Sequence, residues 1–115
     1  MYVIRRVWAV KPREARRAAS IAAAIAQVYE QAGQRADVRV YFNGGSLPGE
    51  KDRVYMEWLA ESIESPYRAG NTLPARAQQL GAELRELATD TWIEFNELLT
   101  ADSAVPIDEQ GASRT

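Results

Sequence analysis

Cysteine and histidine are both missing from this sequence, and the two absences exclude much chemistry. Without cysteine there is no disulfide, no thiol nucleophile and no thiolate ligand for a metal. Without histidine the chain lacks the usual general base and the commonest metal ligand. The carboxylates that remain suit only hard cations, and we expect no metal site. We also expect no organic cofactor.

Long apolar runs are missing as well. No run approaches the roughly 20 residues that a membrane-spanning helix needs, and the first ten residues do not have the layout of a signal peptide. With 14 basic and 16 acidic residues the formal net charge is −2, which argues against a protein that binds the phosphate backbone of a nucleic acid. We therefore expect a cytoplasmic protein with no membrane and no nucleic-acid partner.

The length of 115 residues and the hydrophobic fraction of 46% are sufficient for one folded domain. We assign residues 1–100 to this domain, because strand and helix patterns alternate along them. Residues 101–115 show no periodicity, and we interpret them as a flexible C-terminal tail.

A strand, a helix and a β-hairpin account for the first half of the chain. Residues 2–10 are rich in β-branched and aromatic side chains, and Pro12 then begins a helix that runs to residue 32. Residues 38–43 and 53–58 alternate apolar with polar side chains, as strands do, on either side of a loop at residues 44–51. The pattern therefore predicts a strand, a helix and a β-hairpin.

The second half begins with a connector that we expect to form one short helical turn before Pro66. A second helix follows, capped by Thr72, with an apolar stripe at Leu73, Ala77, Leu80, Leu84 and Leu87. Residues 91–99 fit a strand, in which Ile93 and Phe95 alternate with polar or amphipathic residues. A helical stripe through Ala88, Trp92, Phe95 and Leu99 is the alternative, and we favour the strand.

The resulting order, β-α-β-β-α-β, predicts an α+β protein with the ferredoxin-like fold, an antiparallel sheet with two helices on one face. The other face is uncovered, and it should carry the residues that alternate with the apolar ones: Arg39, Tyr41, Asn43, Arg53, Tyr55 and Glu57. A face that mixes aromatic and charged side chains suits a homodimer joined sheet to sheet as an α/β barrel that encloses a pocket for a small-molecule ligand.

Two segments resemble a known family. Residues 6–12 (RVWAVKP) resemble the Arg-x-aromatic-x-aliphatic-Lys-Pro start of NIPSNAP-like proteins, a branch of the dimeric α/β-barrel superfamily, and Arg13 stands where that motif has glycine. Residues 49–58 (GEKDRVYMEW) resemble the third strand of the same family. The resemblance spans about residues 1–100. It implies a ferredoxin-like dimer in a superfamily that includes cofactor-free monooxygenases, cyclases and isomerases alongside proteins without known activity.

The first strand has two faces that periodicity does not distinguish, because each carries one arginine. One face holds Arg5 with Val3, Val7 and Ala9, and the other holds Arg6 with Tyr2, Ile4, Trp8 and Val10. The resemblance implies that Arg6 and Trp8 point into the barrel. We accordingly expect Val3, Val7 and Ala9 to pack beneath the helices.

Glu57 is the candidate general base, since a carboxylate beside apolar rings loses hydration and becomes more basic. Tyr55, Tyr41 and Asn43 are candidate hydrogen-bond donors to an oxyanion that develops on the substrate. We expect substrate contacts from a further set of arginines and tryptophans: Arg6, Trp8, Arg39, Arg53 and Trp92. The alternative for Glu57 is an ordinary cross-strand ion pair with an arginine.

The sequence leaves two functions open. The first is a small cofactor-independent enzyme, of the cyclase, isomerase or monooxygenase type, that acts on a carbonyl-bearing or aromatic metabolite in the barrel pocket. The second is a non-catalytic dimer of the same fold that binds a small ligand or is structural. The enzyme requires Glu57 to be partly desolvated and not fully paired, whereas the non-catalytic dimer allows every charge to be matched.

Overall fold

A computed structural model describes residues 1–63 and 74–107. Over these residues the elements are β1 (Tyr2–Val10), α1 (Ala15–Gln31), β2 (Arg39–Asn43), β3 (Arg53–Ala60), α2 (Ala75–Leu87) and β4 (Ala88–Glu97). The strands form a single antiparallel sheet in the order β2-β3-β1-β4. The predicted ferredoxin-like fold is confirmed. The expected cap at Thr72 and the helical turn before Pro66 lie outside the described residues.

β4 follows α2 without a loop. The backbone turns from helical to extended at Ala88, whose ψ is 141°, while its N–H still donates to the Leu84 carbonyl. β4 then pairs with β1 along the whole length of that strand. The strand interpretation is therefore confirmed as far as Glu97, and the helical alternative is wrong, because a longer helix would leave one edge of β1 without hydrogen-bond partners.

The core lies between the sheet and the two helices, and its large side chains come mainly from the sheet. α1 contributes mostly alanine, at positions 15, 18, 19, 22 and 26, together with Ile25. Such a face lets the helix lie close to the sheet, where Val54, Met56 and Trp58 fill the layer beneath it. Met56 is 1% exposed, and Val40 packs partly buried against the same cluster. Both lie beneath the helices, as the alternation predicts.

β1 presents its faces opposite to the expectation. Val7 pairs with Tyr55 on one side and Trp92 on the other, so it lies on the uncovered face, while Arg6 and Trp8 lie on the helix face. The expectation that Arg6 and Trp8 point away from the helices, and Val7 towards them, is wrong. The physical reason is space. The alanine face of α1 leaves room for the Trp8 indole, which packs against the core cluster, whereas a small valine fits between two aromatic residues on the other face.

Neither helix has the length and apolar character to span a bilayer within the described parts of the chain. Past β4, residues 98–107 are exposed, and a turn at Thr100 is held by the N–H of Ser103, which donates to the Thr100 carbonyl at 3.1 Å.

Candidate functional site

The uncovered face brings charged and aromatic side chains from all four strands together. Successive side chains on a strand point to opposite faces, so alternate residues of neighbouring strands form rows across the sheet. We call the following seven residues the open-face cluster: Arg5 on β1, Arg39 and Tyr41 on β2, Tyr55 and Glu57 on β3, and Trp92 and Glu94 on β4.

Glu57 uses both carboxylate oxygens within this cluster. Arg39 lies directly across from it on β2 and donates from Nη2 to Oε2 at 2.8 Å, while the Tyr41 hydroxyl donates to Oε1 at 2.9 Å. The Glu57 side chain is only 18% exposed, against 72% for Arg39. The carboxylate is thus partly desolvated, as the enzyme hypothesis requires, yet paired, as the cross-strand ion-pair alternative predicts.

Two stacked tyrosines form the centre of the cluster. The Tyr41 and Tyr55 rings lie 4.9 Å apart between centroids with an interplanar angle of 20°, and the Arg5 guanidinium lies 4.8 Å from the Tyr55 centroid. Burial raises the pKa of the Tyr41 phenol; the Arg5 guanidinium opposes the rise, and the hydrogen bond to Glu57 adds to it. Tyr41 therefore keeps its proton near neutral pH and donates a hydrogen bond to the Glu57 carboxylate.

Arg5 connects this centre to β4. In the strand register it lies between Glu57 and Glu94. Its Nε and Nη2 atoms donate to Oε1 of Glu94 at 2.9 and 2.6 Å, and the Trp92 indole N–H donates to Oε2 at 2.9 Å. The Trp92 N–H, followed by Arg5, lowers the pKa of Glu94, while the Tyr41 side chain, followed by Glu94, raises the pKa of Arg5. The two arginines and the two glutamates of the cluster are all paired.

Asn43 does not join the cluster. Its Nδ2 donates to the carbonyls of Leu47 and Pro48 at 3.1 and 3.2 Å, and its Oδ1 accepts from the Gly45 N–H at 2.8 Å. The Gly49 backbone has φ +119°, and a Cβ there would lie 3.3 Å from the Asn43 amide nitrogen. The amide group therefore holds the hairpin loop in shape, and it is not aimed at the Glu57 carboxylate.

Arg53 borders the cluster at the loop end of the sheet. Its Nη1 donates to the Lys51 and Asp52 carbonyls at 3.1 and 3.4 Å, and its Nη2 lies 3.8 Å from a Glu50 oxygen. The guanidinium is 5.9 Å from the Trp92 ring centroid, at the outer limit of a cation–π contact. Arg53 thus lies on the predicted face, with its Nη1 bonded to carbonyls at the end of the loop.

The sequence interpretation missed Arg5 and gave Glu94 no role on this face. Arg6 and Trp8, expected there as substrate-binding residues, lie on the other side of the sheet. The sequence did contain a signal for Arg5. Glu57 on β3 and Glu94 on β4 both alternate with apolar residues, so both belong to the uncovered face, and an arginine on a strand between them can form an ion pair with one of them. Among residues 1–63 and 74–107 no group of three or more acidic side chains is placed to hold a metal ion.

Comparison with known proteins identifies the fold. No protein-family model and no curated protein sequence matches this chain. The solved structure of protein Atu4242 from Agrobacterium tumefaciens is similar, with a TM-score of 0.67 and 13% identity over 88% of this chain and 96% of that one. A NIPSNAP domain protein from Burkholderia xenovorans is also similar, with a TM-score of 0.51 and 14% identity over 88% of this chain and 96% of that one. At these identities the likeness establishes the fold, which is the NIPSNAP-like, ferredoxin-like fold that the sequence motifs indicated.

Proposed function

We propose that this protein is a homodimer, joined through the uncovered sheet faces, that binds a small organic molecule against the open-face cluster. The observation that carries the proposal is the mutual pairing of the charges in the cluster, Arg5 with Glu94 and Arg39 with Glu57. A face with matched charges is suited to burial against a second copy, because no charge then has to enter the interface without a partner.

The apolar part of the same face supports burial. Tyr41, Trp92 and Leu59 are 36–39% exposed in the single chain, and all three lie on this face. Aromatic residues are enriched at protein interfaces, and a standard interface buries about 800 Å² on each partner. The stacked tyrosines and the neighbouring arginine also offer a flat surface with hydrogen-bond donors, which suits a planar, carbonyl-bearing or aromatic ligand.

The dimer is tested with two substitutions of equal exposure on opposite faces of the sheet. Leu59 is 39% exposed on the uncovered face, and Phe42 is 40% exposed on the helix face. In sedimentation velocity at micromolar concentration the wild type should be a dimer. Leu59→Lys should raise the dimer dissociation constant at least tenfold, and Phe42→Lys should leave it unchanged. A wild-type monomer, or equal effects of the two substitutions, would contradict the proposal.

A cofactor-independent enzyme is the second candidate, and the Tyr41 hydroxyl between Arg5 and Glu57 favours it. In such an enzyme Glu57 takes a proton from a carbon next to a carbonyl. Tyr41 then moves its hydrogen bond from the carboxylate to the resulting enolate oxygen, which Arg5 also stabilises. This candidate ranks second, because both Glu57 oxygens are already engaged.

Keto–enol tautomerisation of phenylpyruvate provides an assay for the enzyme. If the wild type catalyses it, Glu57→Gln should reduce turnover by roughly 10²–10⁴-fold with the fold intact. Unchanged turnover in Glu57→Gln would reject this residue as the base. If turnover is also unchanged in Tyr41→Phe, the reaction does not take place on this face.

A further inference from the structure

Arg35 lies on the helix side of the sheet, opposite the open-face cluster, and is held between two aromatic rings. Its guanidinium carbon is 3.9 Å from the centroid of the Tyr29 ring on α1 and 3.8 Å from that of the Trp58 ring on β3. One guanidinium nitrogen, Nη1, lies 3.4 Å from the Met56 sulfur. The side chain therefore has a defined position, set by contacts with two elements.

The two rings leave only the edge of the guanidinium available for hydrogen bonds. Aromatic rings stack on the flat face of this group, whereas its N–H donors point outwards in its own plane. No carboxylate in the described parts of the chain forms an ion pair with Arg35. Within the same residues no buried side-chain nitrogen lacks a partner, so the edge donors that do not meet Met56 reach solvent.

A second cation lies close to the first. Arg6 is on the helix face of β1 beside Met56, and it too has no ion pair with a described residue. Burial is the main cause that lowers the pKa of Arg35, and the charge of Arg6 lowers it further. The cost of holding two like charges near each other in a partly buried place is relieved by an anion that binds between them.

We propose that Arg35 and Arg6 form a binding site for a small organic carboxylate, in which Arg35 donates bidentate hydrogen bonds to the two carboxylate oxygens. The planar guanidinium edge matches the two oxygens of a carboxylate, and the rings that fix its orientation reduce the entropy lost on binding. Tyr29, which is only partly buried, supplies an apolar surface beside the guanidinium edge for the rest of the ligand. The site is on the other side of the sheet from the proposed dimer interface, so it does not depend on that proposal.

Benzoate and benzamide are matched probes for this site, because they differ mainly in charge. Each is titrated into the ¹⁵N-labelled full-length protein, and the indole N–H signal of Trp58 is followed by NMR. We expect benzoate to shift this signal with saturation and benzamide to bind at least tenfold more weakly. Arg35→Gln should weaken benzoate binding at least tenfold, whereas Arg16→Gln, an exposed arginine of α1, should leave it unchanged.

Several results would overturn the assignment: equal binding of benzoate and benzamide, equal binding of benzoate and inorganic phosphate, or unchanged benzoate affinity in Arg35→Gln. Circular dichroism checks that the variant is folded. If Arg35→Gln does not fold, Arg35→Lys replaces it, since lysine keeps the positive charge but cannot donate bidentate hydrogen bonds to a carboxylate. Benzoate affinity should then fall at least tenfold, and unchanged affinity in the lysine variant would also overturn the site.

Discussion

Met56→Ala tests the assignment of the two sheet faces, on which the positions of both candidate sites depend. Met56 is 1% exposed, lies in the middle of β3 beneath the helices, and contacts the Arg35 guanidinium through its sulfur at 3.4 Å. Truncation of a buried methionine to alanine costs about 2–5 kcal/mol, the range reflecting how far the cavity collapses. Because Met56 is fully buried and its loss also removes a contact of Arg35, we expect about 3–4 kcal/mol.

The loss is measured by urea unfolding of the wild type and the variant at one protein concentration, because the stability of the proposed dimer would depend on concentration. A thermal scan should show a melting temperature lower by about 10–20 °C. The matched control is Leu47→Ala in the hairpin loop, where the side chain is 65% exposed and the expected change is within about 0.5 kcal/mol. A loss for Met56→Ala no larger than that of the control would mean that the faces of β3 are assigned the wrong way round.

Two further predictions concern backbone strain and pH. Arg13 has φ +70°, a conformation that costs a residue with a side chain about 1–2 kcal/mol. After the entropy cost of glycine, Arg13→Gly should be neutral to about 1 kcal/mol more stable in urea unfolding, whereas Arg16→Gly inside α1 should lose about 1 kcal/mol; equal losses would refute the strain. The pKa of Glu94 is lowered first by the Trp92 N–H and then by Arg5, so its ionised form stabilises the fold above the ordinary glutamate pKa of about 4.3, and this contribution disappears as the pH falls through the lowered pKa. Glu94→Gln should therefore be less stable than the wild type at about pH 7 and approach it at about pH 3, and a difference that does not change with pH would contradict this pairing.

The sequence by itself determined the elements and most of their faces. Within β3, the alternation of Val54, Met56 and Trp58 with Tyr55 and Glu57 assigns each side chain to a face without reference to any other strand, because the backbone pleat alone sets the direction. The element order then led to the ferredoxin-like fold, since two helices can cover only one face of a four-stranded sheet of this topology.

Tertiary structure decided the orientation of β1 and the state of Glu57. Both faces of β1 carry an arginine and apolar residues, so local periodicity is symmetric; the space that α1 leaves for Trp8 and the position of Arg5 between two glutamates break the symmetry. Whether Glu57 is free or paired depends on the register of the β2–β3 hairpin, which brings Arg39 directly across from it.

Arg35 lies in an irregular segment between α1 and β2, where no periodic pattern assigns a direction to its side chain. Its place between Tyr29 and Trp58 follows only when the end of the helix and the end of β3 are packed together. Local sequence sets which way a side chain leaves the backbone of a regular element. Which groups it then meets depends on distances between elements, and those distances are set by the packing of the whole domain.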